Sequence, residues 1–342
     1  MSLKIDCQLR DLQFTEVGTH AQKMEEMGFD AAWTFEAAQD AFTPLTLGAA
    51  ATNNIHMGTN IAVAFGRSPF AMAQQAWDIQ KLSNGRLHLG LGTQVRAHVE
   101  RRFSMPFDRP AARITDYVAC MKAIFDTFQN NTKPEYRGEF YQFTLMNPFF
   151  NPGPIDHPDI PIYLAGVNPR MCRAAGEVAD GFHNHPIHTI GYINDVVRPA
   201  LDEGAKSRGK TVDDIQIQTM VLIASGDTQA EIDKQVEDIR RQIGFYGSTP
   251  NYRGILEHMG KGGLGKELSA KMRQGDMDGM TAMITDDMID QVAIVGKLSE
   301  VGTKVRERYE GVVDRVAYYY PIPKDSDVSA WKSFTGAVKA AA

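Results

Sequence analysis

Short apolar runs alternate with amphipathic stretches along almost the whole chain. Lys4 to Leu9 reads as a first strand. Thr15 to Met27 then places Val17, Ala21, Met24 and Met27 on one helical face, and Gly28 stops it. Asp30 to Thr34, Ile55 to Val63 and Arg86 to Gln94 predict three more strands. Helices over Pro44 to Thr52 and Ser68 to Leu82, and an Asn84-Gly85 turn, separate them. The next strands come late: Ile162 to Gly166, Gly181 to His185, Ile215 to Ala224 and Val313 to Pro321. Helices over Pro169 to Ala179, 189–207, Thr228 to Phe245 and Leu298 to Tyr309 lie among them. A parallel neighbour needs a crossover, so this alternation predicts a parallel α/β sheet. Eight such units predict a closed (β/α)8 TIM barrel. An open doubly wound sheet is the rival, and the strand count together with the short, near-uniformly apolar strands favours closure.

Two intervals exceed an ordinary loop. Residues 95–160, before the fifth strand, hold a helix (Ala111 to Phe128), a hairpin around YRGEFYQF and a loop rich in proline and glycine. Residues 247–296, after the seventh strand, are glycine-rich and helical in pieces. Both read as insertions in one barrel domain spanning 1–342, because no compositional break marks a boundary. The tail over 324–342 reads as a weak amphipathic helix or a frayed end.

Composition narrows the function. The 342 residues carry a net charge of −6, with 43% hydrophobic and 23% charged positions. A mildly acidic chain argues against a nucleic-acid partner and against attraction to anionic membranes. The cysteines Cys7, Cys120 and Cys172 form no CxxC pair, which fits a reducing compartment. The first residues lack an apolar leader core, and no apolar run is long enough to span a bilayer. The expectation is a cytoplasmic protein.

In a barrel of this kind ligands sit at the C-terminal strand ends. Those ends carry Arg10, Phe35, Glu36, Ala37, Asn60, Ile61, Gly92, Thr93, Gln94, Gly166, Val167, His183, Asn184, His185 and three tyrosines at 318–320. The set is rich in amides, hydroxyls, rings and glycines, and holds one carboxylate. In HNHPIH (His183, His185, His188), His183 and His185 share one strand face, and two histidines without a third ligand make a poor metal site, so no metal is expected. No nucleophile elbow and no Walker loop occurs. LAGVNPRM places Asn168 as an N-cap and Pro169 at the first helical position. Free N–H groups there, with Arg170 beside them, suit a phosphate; an ordinary capped turn has the same spacing, and both readings stay open.

Four motifs then stand together: Gly58-Thr59 at a strand end, Arg67-Ser68-Pro69 at a helix start, Leu82-Ser83-Asn84-Gly85-Arg86, and Leu89-Gly90-Leu91-Gly92. With YLAG and VADGF downstream, the chain resembles the luciferase-like monooxygenase superfamily over most of residues 3–320. RRFSMPF, RGEFYQFTLMNPFFNPGP and RRQIGFYGSTPNYR resemble its coenzyme F420-dependent oxidoreductase subgroup. The resemblance implies a flavin or deazaflavin at the strand ends. It implies a non-proline cis peptide at Asn60–Ile61 behind the ring, with Gly92, Thr93 and Gln94 at the ring edge or side chain. It also implies that Gly166, Val167 and Asn168 meet the phosphate. Better-known F420 members carry an Asp-His pair after the second strand; here Glu36-Ala37 stands there, and alanine transfers no proton. Glu36 and His185, with His183 behind them, become the candidates for catalysis, against a rim carboxylate and a structural histidine. Phe103, Phe107, Phe149, Phe150, Phe245 and Tyr246 are expected to roof the pocket, with ordinary core as the equal alternative for some of them. The implied function is hydride transfer between F420 and a small organic substrate, in a homodimer. The alternatives are an FMN-dependent monooxygenase and a barrel that binds a flavin or other ligand without turnover.

Overall fold

In the computed structural model, which describes residues 2–340, the apolar runs become β1 (Lys4–Gln8), β2 (Ala31–Thr34), β3 (His56–Thr59), β4 (Ala62–Val63) and β5 (Leu87–Gly92). A small antiparallel pair, β6 (Tyr136–Arg137) and β7 (Gln142–Phe143), follows. Then come β8 (Ile162–Gly166), β9 (Gly181–Asn184), β10 (Gln216–Ser225), β11 (Ala293–Gly296) and β12 (Arg315–Tyr318). The barrel strands pair in the order β1, β2, β3, β5, β8, β9, β10, β12, all parallel, and β12 returns to β1. The eight-stranded TIM barrel expected from the alternation is what forms. Helices cover its outer face; Pro69–Leu82 is typical, with Ser68 accepting from the Ala71 amide at its N-cap and Pro69 at its first position.

Three differences from the sequence pattern matter. The third predicted strand is interrupted at Asn60–Ile61, a non-proline cis peptide; β3 pairs with β2 before the break, and β4 pairs with β5 after it. The interval 247–296 ends in a strand that the pattern did not show. β11 has four residues directly after the helix Asp286–Val292, too few for a period-two signature. It pairs with the outer half of β10, Leu222 to Ser225, whose inner half closes the barrel. The tail is a packed helix, Val328–Lys339, with Trp331, Phe334 and Val338 buried at helical spacing and Trp331 against Tyr318 at 5.0 Å; residues 341–342 lie outside the described residues.

The barrel interior is partly polar. Asp6, on β1, takes both ends of the Arg315 guanidinium (2.7 and 2.9 Å) and the Trp33 indole N–H (2.9 Å). His88 joins His56 (3.0 Å) and the Tyr163 hydroxyl (3.2 Å). Gly90 makes room for this interior: a Cβ there would lie 1.8 Å from the Thr59 carbonyl oxygen and 2.4 Å from His183 Nε2.

Candidate functional site

A cavity of about 330 Å³ opens at the C-terminal strand ends, within the size range of small-molecule sites. Its walls come from most of the barrel. Gln8 ends β1 and Arg10 follows it, Phe35 follows β2, and Asn60 and Ile61 occupy the break between β3 and β4. Gly92 ends β5, with Thr93, Gln94 and Val95 after it; Ala165 and Gly166 end β8, with Val167, Asn168 and Met171 after them. His183, Asn184, His185 and Pro186 come from β9, Met220 from β10, and Tyr319 from beyond β12. Tyr246, Asn251 and Tyr252 reach over from the segment after β10.

All eight residues expected to touch a cofactor therefore lie on one cavity, and His185 lies with them. Glu36 does not. Its carboxylate accepts from the Val63 amide (2.8 Å) and from Arg67 (2.7 Å), and its side chain is only 7% exposed. Arg170 is exposed and outside the lining. The expected roof also differs: of the six aromatics only Tyr246 lines the cavity, while Phe149 and Phe150 are 87% and 63% exposed. Phe107 packs on Phe65, and Phe103 lies over Gly66.

Local chemistry explains how the lining is held. Asn168 caps the helix Pro169–Val178 by accepting from the Met171 amide at 3.1 Å, so its side chain is committed and its backbone faces the cavity rim. Val167 is pinned through its carbonyl, which accepts from the Tyr192 hydroxyl at 3.0 Å. Gln94 adopts φ +58°, in the left-handed region few non-glycine residues occupy, and its side-chain oxygen accepts from the Val95 amide at 3.0 Å. Asn60 donates to Gln218 Oε1 (3.0 Å), which also meets His183 Nδ1 (2.8 Å). Gln218 on β10 was not foreseen; it sits among the polar residues Gln216 and Thr219 at the start of the strand, fully buried.

Both cavity histidines are neutral. Burial pushes His183 down to about 4 and His185 down to about 3. His185 Nδ1 accepts from the Ile187 amide at 3.1 Å, which places the ring hydrogen on Nε2. Tyr246 and Tyr252 enclose the ring, with centroids 4.5 and 4.4 Å away. At neutral pH the ring offers its Nε2–H as a hydrogen-bond donor. Among the described residues no group of three or more His, Cys, Asp or Glu could hold a metal, and no helix is long and apolar enough to cross a membrane.

The donor set suits a planar heterocycle with a phosphate-bearing side chain. Amides and a cis-linked backbone break face one wall, and the start of a capped helix lies at the rim. The family model described as luciferase-like monooxygenase matches residues 3–315. An uncharacterized protein of Mycobacterium tuberculosis is 41% identical over 92% of both chains. The 5,10-methylenetetrahydromethanopterin reductase of Archaeoglobus fulgidus is 26% identical over 93% of both. Among solved structures, the coenzyme F420 dependent tetrahydromethanopterin reductase of Methanopyrus kandleri aligns with a TM-score of 0.75 at 22% identity, covering 98% of this chain and 97% of that one.

Proposed function

The chain belongs to the luciferase-like monooxygenase family, and we propose that it is an oxidoreductase exchanging hydride between coenzyme F420 and a small organic substrate. The observation that carries this reading is the convergence of Asn60, Ile61, Gly92, Thr93, Gln94, Gly166, Val167 and Asn168 on one cavity. The name of a Mycobacterium tuberculosis relative 27% identical to this chain, a coenzyme F420-dependent oxidoreductase, supports F420 over FMN.

When bound, the deazaflavin supplies the hydride chemistry. The protein's contribution is placement. Asn60 and Ile61 back the ring, held by the Gln218–His183 pair. Gly166 and Val167 offer backbone N–H groups to the phosphate beside the helix start. His185 Nε2–H donates to a substrate oxygen, which orients the substrate and stabilises charge developing there. Tyr246 and Tyr252 keep water from His185. Glu36 acts at one remove: through Arg67 and the Val63 amide it fixes the backbone following Ile61.

A titration of the purified protein with F420 and with FMN, followed by the absorbance and fluorescence of each, tests the reading. Micromolar binding of F420 with FMN at least about tenfold weaker is the expected result. The reverse order would make the protein an FMN enzyme of the same fold, and binding of neither would end the cofactor assignment. Oxidation of the reduced, bound cofactor by a substrate panel in stopped flow then separates an enzyme from a barrel that only binds.

A further inference from the structure

The cavity has one charged wall. Arg10 is the only Arg, Lys, Asp or Glu that lines it, and the two lining histidines are neutral. The Arg10 guanidinium lies over the rings of Phe35 and Tyr319, 5.2 Å from each centroid. Both rings pack within cation–π distance of the guanidinium, whose N–H groups point out along its planar edge. Among the described residues it donates no hydrogen bond, and its Nε is buried without a partner. The nearest anion, Asp11, is 3.4 Å from Nε but 69% exposed, so it offers only a screened surface contact.

Its position matters as much as its chemistry. Round the barrel, β8 is the fourth neighbour of β1 in either direction. Arg10, which follows β1, therefore lies across the mouth from Gly166 and Asn168, where the phosphate end of the cofactor is placed.

We propose that Arg10, Phe35 and Tyr319 form a subsite for the carboxylate of an organic-acid substrate. The planar edge of a guanidinium matches a planar carboxylate with two parallel hydrogen bonds, and the rings and Met220 take the apolar body beside it. This rests on the cofactor reading only in calling the ligand a substrate.

Benzoate and its neutral isostere benzamide are the probes, titrated calorimetrically into cofactor-free protein and into protein loaded with the cofactor it binds. Wild type should bind benzoate about tenfold or more tighter than benzamide. Arg10→Met should abolish that preference and leave cofactor affinity within about threefold, and Arg10→Lys should keep part of it because the charge remains and the fork is lost. Equal affinity for the two probes, binding of neither, or a preference that survives Arg10→Met overturns the subsite. So does a loss of cofactor affinity in Arg10→Met as large as the loss for benzoate, since the guanidinium would then belong to the cofactor. The wild-type ratio needs no variant to fold. In cofactor-free protein it also reads independently of F420 and FMN, so failure of the cofactor assignment gives a different result from failure of the subsite.

Discussion

In the lower half of the barrel, Asp6, Arg315 and Trp33 satisfy one another, and so do His56, His88 and Tyr163. At the mouth Asn60, Gln94 and Asn168 are likewise committed, but two polar side chains are left open: Arg10 donates nothing, and His185 turns its Nε2–H away from the backbone bond that fixes its other nitrogen. Both regions are polar spots in an apolar fold, and both sit on the same strands. A polar group that finds its partner inside the chain contributes to the fold. One held rigid by its neighbours while its donors stay unfilled is placed for a ligand.

The largest effect that would test this contrast lies at the lower end. Arg315→Met leaves the fully buried Asp6 carboxylate without its partner and should cost about 3–5 kcal/mol of unfolding free energy in urea. Replacing the pair together, Asp6→Leu with Arg315→Met, should recover part of that loss because no buried charge remains. A single-variant loss as small as that of a surface substitution would mean the lower end is not self-satisfied as described.

Taken ring by ring, acid should come next. His183, His185 and His188 are held neutral by burial, near 4, 3 and 4. Their folded values lie below the unfolded one near 6.5. The stability they contribute is complete above pH 6.5 and is lost as pH falls towards 4, because the unfolded chain takes up protons first. Each ring accounts for about 2–3 kcal/mol at the acid end of that window. Urea midpoints measured from pH 7 to pH 4.5 should fall accordingly, and His188→Gln, which removes a ring bonded to Tyr309 (3.0 Å) away from the cavity, should flatten the fall.

Gly166→Leu acts at the mouth alone. A Cβ there would lie 2.9 Å from that of Met171 and 3.1 Å from the Phe182 ring, which pushes the helix start away from the rim. Cofactor affinity should drop about tenfold or more while the unfolding free energy changes less than in the Arg315 variant. Equal affinity would move the phosphate end elsewhere.

The same contrast explains what could be read before the fold was known. Eight strands and most helices were legible because burial imposes a period, and strand ends are where a barrel exposes backbone and side chains together. The glycines and amides at Asn60, Gly92 and Gly166 stood at such ends. β11 escaped because four residues carry no period, and Gln218 because its partners, Asn60 and His183, are far away in sequence. Glu36 stood out as a lone carboxylate at a strand end; the fold pairs it with Arg67, two positions before a proline helix start, and sets it off the cavity wall. Phe149 and Phe150 looked like a roof because apolar residues in an insertion suggest burial, yet their loop turns outward.

Glu36 provides the smallest and most discriminating test. Its carboxylate holds the Val63 amide and the Arg67 guanidinium, and Arg67 also holds Asp40 at 2.7 Å. Glu36→Gln keeps an acceptor for the amide and weakens the ion pair, so it should cost about 1 kcal/mol of stability and a few-fold in cofactor affinity. As a brace it should leave the shape of the pH–rate profile intact, since no proton passes through it. As a proton carrier its replacement would erase one limb of that profile and depress kcat far more than affinity. Because Glu36 lies behind the backbone that follows Ile61 and not on the cavity wall, the intact profile is the expected result. The Glu36–Arg67 pair then belongs with Asp6–Arg315 among the contacts that fix the frame, and the open donors at the mouth are left to the ligand.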